Sequence, residues 1–269
     1  MSLSIRTRTI TTHYELCGAS AGPVVMLSHS LASGSSMWDW QLAALQSRFR
    51  VLRYDTRGHG GSEVPPAPYR LDELVEDAVA LLDALGIPRV HFVGLSMGGM
   101  IGQGLALDHP QRLLSLCLCS TAALMPVAAQ PAIQERIDTA LTEGMQALAE
   151  STLARWFTPG LLKSRPPAVE RIRRQLLATP PAGYVGCIEA IRRLDYLDRL
   201  AHIRLPTLVM VGADDPGTPV SASLAIHESI PGSRLEVIGS AMHLANIEQT
   251  EIFNRTLLGF LDSVASAAA

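Results

Sequence analysis

At 269 residues, 48% hydrophobic and 17% charged, the chain has enough apolar side chain for a large core and is not intrinsically disordered. A net charge of −3 and a pI near 6.2 lack the basic surplus of a nucleic-acid binder. The charge-free stretches 90–107 and 113–134 are interrupted by Gly94, Gly98, Gly99, Pro126 and Pro131, so neither reads as a lipid-spanning helix.

Residues 1–12 carry Arg6 and Arg8 with no apolar block behind them, so no secretory signal is expected. Ser2 to Cys17 then reads as an antiparallel hairpin on a sheet edge. Near-continuous apolar runs follow at Val24–Leu27, Val51–Tyr54, Val90–Val93, Leu113–Cys119, Leu208–Val211 and Leu235–Ile238, the pattern of strands covered on both faces in a parallel sheet. Between the second and third of these, Leu71, Leu74, Val75, Ala78, Leu81, Leu82 and Leu85 form one helical stripe. Asp72, Glu73, Glu76 and Asp77 favour its N-terminal end, and Gly86 and Pro88 stop it. From Ala122 to about Ala190 the strand signals cease and the sequence is helical, punctuated by prolines. Alternation resumes near Leu194 and ends in a helix bearing Ile252, Phe253, Leu257, Phe260 and Leu261. The reading is an α/β fold with a mostly parallel sheet: residues 1–121 and 191–269 form the core, and 122–190 an inserted helical cap. Cys17, Cys117, Cys119 and Cys187 lack metal-ligand spacing and read as core thiols of a reducing, cytoplasmic compartment.

The chemistry is concentrated after the strand Val90–Val93, where Gly94-Leu95-Ser96-Met97-Gly98-Gly99 leads into a helix. A serine on so sharp a strand-to-helix turn needs glycines two before and two after it, because larger side chains would clash. Its hydroxyl is a weak nucleophile and requires a base oriented by an acid, in the chain order Ser, acid, His. Of His109, His202, His227 and His243, only His243 falls in a loop just beyond the C-terminal end of a strand, where such sites collect. Asp214 and Asp215 both follow the preceding strand.

These segments, with Tyr54-Asp55-Thr56-Arg57-Gly58-His59-Gly60 and Gly212-Ala213-Asp214-Asp215-Pro216-Gly217-Thr218-Pro219, resemble the α/β-hydrolase superfamily over nearly the whole chain. The resemblance implies a serine hydrolase with the triad Ser96, Asp215 and His243. Asp215 is chosen over Asp214 because the family's acid lies three residues after the glycine and four before the proline. It implies an oxyanion hole made by the backbone N–H groups of Met97 and of Leu31, in the loop Leu27-Ser28-His29-Ser30-Leu31. His29, Asp55, Arg57 and His59 read as loop braces. Ser36-Met37-Trp38-Asp39, Arg155-Trp156-Phe157-Thr158 and Gly183-Tyr184 are similar to the 3-oxoadipate enol-lactonases, hydrolases of a small acidic lactone in aromatic compound degradation. Ile133 stands where that branch commonly has a tryptophan, ahead of Arg136-Ile137. Trp38, Arg136 and Trp156 are accordingly expected to contact substrate, Arg136 through a carboxylate. The alternatives are a short-chain carboxylesterase, with perhydrolase side activity, and a ligand receptor on a hydrolase fold. A carboxylate nucleophile of the haloalkane-dehalogenase kind is disfavoured by Ser96. A metallohydrolase is disfavoured because no metal-ligand motif occurs. No cofactor or metal is implied, and the expected partner is a small ester or lactone rather than nucleic acid or membrane.

Overall fold

The computed structural model describes residues 2–19 and 21–268, omitting the side chains of 267 and 268. Ser2–Arg6 (β1) and Thr11–Gly18 (β2) form the antiparallel hairpin. Val24–Ser28 (β3), Arg50–Tyr54 (β4), Val90–Leu95 (β5), Leu113–Cys119 (β6), Thr207–Gly212 (β7) and Arg234–Ile238 (β8) are parallel to one another, and β2 joins them antiparallel to β4. The sheet order is β1-β2-β4-β3-β5-β6-β7-β8. Every residue of β3, β5 and β7 is buried, in keeping with their near-continuous apolar runs. The last strand departs from that expectation. Arg234 and Glu236 interrupt the run in β8, which forms the outer edge of the sheet and is largely exposed.

Helices flank the sheet: Asp39–Leu45 (α1), Leu71–Ala84 (α2) and Met97–Asp108 (α3) come before the break in alternation. Gln130–Thr142 (α4), Met145–Trp156 (α5), Pro159–Ser164 (α6), Pro167–Ala178 (α7) and Pro181–Ile191 (α8) form the inserted helical region between β6 and β7. Val220–Ser229 (α9), Ala245–Glu248 (α10) and Thr250–Ala268 (α11) complete the chain. The stripe of α2 buries Leu71, Leu74, Val75, Ala78, Leu81 and Leu82; Asp77, buried on the same helix, is matched by Arg57 through two hydrogen bonds of 2.5 and 2.8 Å. Because β5, β7 and β8 are parallel, the residues that follow them, Ser96, Asp215 and His243, collect at the same end of the sheet. No helix among the described residues is long and apolar enough to cross a membrane.

Candidate active site

Ser96 alone makes the turn between β5 and α3, at φ 56° and ψ −115°. A non-glycine residue is strained there and must be held by its surroundings. Its N–H donates to the Cys119 carbonyl at 2.9 Å, and its own carbonyl accepts the Thr121 hydroxyl at 2.7 Å. The flanking glycines permit the close passage: a Cβ on Gly94 would lie 2.1 Å from the Gly98 oxygen, and one on Gly98 would lie 2.2 Å from the Ser28 oxygen.

Of the two aspartates after β7, Asp214 is exposed, whereas Asp215 is buried and reaches the histidine. Asp215 Oδ2 lies 2.8 Å from His243 Nδ1 and accepts the Thr218 hydroxyl at 2.8 Å, while Oδ1 accepts the N–H groups of Gly217 and Thr218 at 2.8 and 3.0 Å. Burial works to raise the Asp215 pKa, but the His243 charge and these donors outweigh it and hold the carboxyl below its usual range. Occupation of Nδ1 by the carboxylate leaves Nε2 of His243 as the ring nitrogen available to a substrate. The other histidines after the elbow are spent elsewhere: His109 pairs with Glu76 at 2.7 Å, His227 bonds Ser233 at 2.8 Å, and His202 is exposed.

The loop after β3 is held by two buried imidazoles. His29 Nε2 accepts the Thr56 N–H and His59 Nε2 accepts the Ala32 N–H, each at 2.9 Å. Burial lowers both pKa values, that of His59 to about 3, so both rings are neutral acceptors at ordinary pH and act as braces. Asp55 adds to the network, accepting the Ser35 and Gly61 N–H groups at 2.7 and 2.9 Å. Leu31 is thereby fixed beside Ser96 on the wall of one cavity. Met97, the first residue of α3, carries an N–H that has no intrahelical acceptor.

That cavity, about 210 Å³, is lined by Ser96 and His243 and also by Ile133, Arg136, Arg155 and Trp156 of the inserted helices. The two arginines are the notable feature. Among the described residues neither has a carboxylate within ion-pair distance. Arg136 Nε donates to the Tyr184 hydroxyl at 3.0 Å with its guanidinium over that ring, and Arg155 donates to Thr152 at 3.3 Å. Burial first, and then the Arg136 charge, depress the Arg155 pKa, as expected of two cations facing one apolar space. Arg155 and Thr218 also line the cavity, though neither was singled out as a site residue from the sequence; both stand in segments that carry the resemblance, which was the signal available for them. Trp38, expected to contact substrate, does not line the cavity. It is fully buried against Phe253, with ring centroids 6.3 Å apart, because α1 packs on α11 below the loop. Trp156 does line it and lies nearly parallel to the His243 ring, at 6.4 Å and 20°.

A sheet of this order, with a strained serine, a His–Asp pair and an apolar cavity between core and inserted helices, defines a hydrolase class. The chain belongs to the alpha/beta hydrolase fold family, whose model matches residues 23–250. It is similar to 3-oxoadipate enol-lactonase 2 of Acinetobacter baylyi, at 38% identity over 94% of each chain. Among solved structures it resembles the enol-lactonase from Burkholderia xenovorans LB400, with 37% identity, a TM-score of 0.93 and coverage of 97% of this chain and 100% of that one. It also resembles a thermophilic esterase from Thermogutta terrifontis, described with malate bound, with 30% identity, a TM-score of 0.91 and coverage of 98% and 99%.

Proposed function

We propose that the protein is an enol-lactonase-like serine hydrolase, opening a small lactone or ester that carries a carboxylate. The observation that carries this reading is the shared cavity, in which Ser96 and His243 meet two arginines that lack an acidic partner among the described residues. Cations so placed favour an anionic ligand, and a guanidinium recognises a carboxylate through two parallel N–H donors. The similarity to enol-lactonases over nearly the full chain and the malate described in the esterase agree with it.

In the proposed reaction Ser96 Oγ attacks the acyl carbon while His243 Nε2 takes its proton. Asp215 keeps Nδ1–H oriented and stabilises the imidazolium. The tetrahedral oxyanion is received by the Leu31 and Met97 N–H groups. Collapse expels the ring oxygen, which takes the proton from His243; in a lactone it stays tethered to the acyl group. Water, deprotonated by the same imidazole, then releases the acid and regenerates Ser96. Residues 122–190 serve as the cap that encloses the acyl group. The test is a comparison of acidic lactones with neutral lactones and p-nitrophenyl esters of similar size. Preferential turnover of the acidic members, lost in Arg155→Ala, is the expected result.

The second reading, a short-chain carboxylesterase on the same triad, is favoured by the apolar wall formed by Ile133, Ile188 and Met100. Efficient turnover of neutral short esters without turnover of acidic lactones would decide for it. Single-turnover capture without release would instead indicate a receptor.

A further inference from the structure

The imidazole of His243 is held at Nδ1, by Asp215 at 2.8 Å with the Thr218 hydroxyl 3.3 Å away, and contacts at one ring nitrogen do not fix the backbone that carries the ring. The backbone that carries it must be held as well. Glu248, the last residue of α10, makes that hold. Its Oε2 accepts the N–H of Met242, the residue before His243, at 2.6 Å. Its Oε1 accepts both the N–H and the hydroxyl of Thr158, each at 2.8 Å. On the other side of His243, the Leu244 N–H donates to the Trp156 carbonyl at 3.1 Å. The residues flanking the histidine are therefore tied to the segment that ends α5, the same segment that presents Arg155 and Trp156 to the cavity.

We infer that Glu248 is a positioning residue for the reaction: its carboxylate joins the His243 turn to the end of α5 and so sets the imidazole against Ser96. The inference rests on the proposed role of His243 as the base. Only a carboxylate suits all three donors, since the amide of a glutamine has one acceptor oxygen and its NH₂ would oppose either Met242 or Thr158.

The test compares the parent protein with Glu248→Ala, Glu248→Gln, Thr158→Val and Ser96→Ala. It uses p-nitrophenyl acetate turnover, the rate of phosphonylation by a fluorophosphonate, and thermal melting. Phosphonylation needs the same activated serine but no recognition of a substrate carboxylate. Displacement of a catalytic group by a fraction of an ångström to one ångström costs up to about 100-fold in rate, so Glu248→Ala is expected to lower both kcat and phosphonylation by about 10–100-fold with KM changed less than about three-fold. Glu248→Gln should fall between, and Thr158→Val, which keeps its N–H, should lose about three-fold. A lowered Tm with kcat and phosphonylation unchanged in Glu248→Ala would overturn the inference and leave a purely structural clip. If Glu248→Ala does not fold, unchanged kcat in both milder variants overturns it. Loss of turnover in Ser96→Ala beside unaltered Glu248 variants defeats this inference alone, whereas turnover retained by Ser96→Ala defeats the triad on which it stands.

Discussion

Asp214 and Asp215 are adjacent, chemically identical and both in the loop after β7, yet only one is buried against an imidazole. If Asp215 orients His243, Asp215→Asn leaves the imidazolium unsupported and costs up to about 10⁴-fold in kcat. Asp214→Asn, at an exposed position, is expected to change kcat/KM by less than about three-fold, since surface substitutions usually cost under about 0.5 kcal/mol. Steady-state kinetics on the two variants decide the assignment, and a reversed ranking refutes it. If Ser96 is the nucleophile, Ser96→Ala removes it, with an expected loss of about 10⁴–10⁶-fold in kcat and an unchanged far-UV spectrum. Arg136 and Arg155 are separable by the same means. Arg155 makes one weak internal bond at 3.3 Å, whereas Arg136 is seated on Tyr184. If Arg155 binds the substrate carboxylate, Arg155→Ala should raise KM for an acidic lactone by about ten-fold or more, through loss of a charge-assisted contact, and leave KM for a neutral ester of the same size nearly unchanged. An equal rise on both substrates would assign Arg155 to cap packing.

At the level of elements, the site depends on how closely β7 passes the turn that carries His243. A Cβ on Gly212, the last residue of β7, would lie 2.2 Å from the Met242 oxygen and 2.5 Å from the Ala241 oxygen. Both are backbone atoms that cannot rotate away. Gly212→Ala should therefore displace the turn, lowering stability by about 1–3 kcal/mol and kcat by about 10–100-fold. Urea unfolding and kinetics on one preparation check both, and a fully active variant would show that the turn shifts without moving the imidazole. The inserted helices are fastened to the core at a second point: Gln175 of α7 accepts the Gly34 N–H at 3.0 Å and donates to Ser36. Arg171 on the same helix pairs with Asp39 of α1. The loop carrying Leu31 and the turn carrying His243 are thus each tied to a different helix of the insertion.

For the molecule as a whole, three buried histidines are held neutral by burial. His29 is lowered, His59 is lowered to about 3, and His91, also beside the Arg89 charge, is lowered to about 4. In the unfolded chain each titrates near 6.5. Below that pH the unfolded chain binds protons that the folded chain does not, so stability falls as pH drops from about 6.5 toward 4 and 3. Each histidine contributes up to about 1.4 kcal/mol per pH unit within its window. Denaturant unfolding between pH 7.5 and 4.5 should show this slope, and a flat profile would contradict it. Protonation would also remove the acceptors for the Thr56 and Ala32 N–H groups, so the Leu31 loop should be among the first segments to loosen.

The sheet, the elbow at Ser96 and the helical insertion were legible in the sequence because each rests on local rules: continuous apolar runs, glycines flanking one serine, and proline-punctuated helical periodicity. The pairing of Asp215 with His243 was legible through resemblance. The exposed edge of β8 is marked locally by Glu236 inside its run, but its outer place in the sheet depends on its neighbours. Trp38 and Trp156 each stand between one apolar and one charged neighbour in the sequence, and only packing sends the first into the core and the second to the cavity. Arg155 and Glu248 look like ordinary helix-surface charges along the chain. Their surroundings are set by segments distant in the chain, Thr158 lying 90 residues before Glu248, so tertiary structure alone gives the arginine an apolar cavity and the glutamate three donors. The chain by itself determined its architecture and the strained turn at Ser96, because backbone geometry and side-chain periodicity are local. What lines the cavity beside Ser96 was decided in three dimensions, where burial and charge are properties of the whole fold.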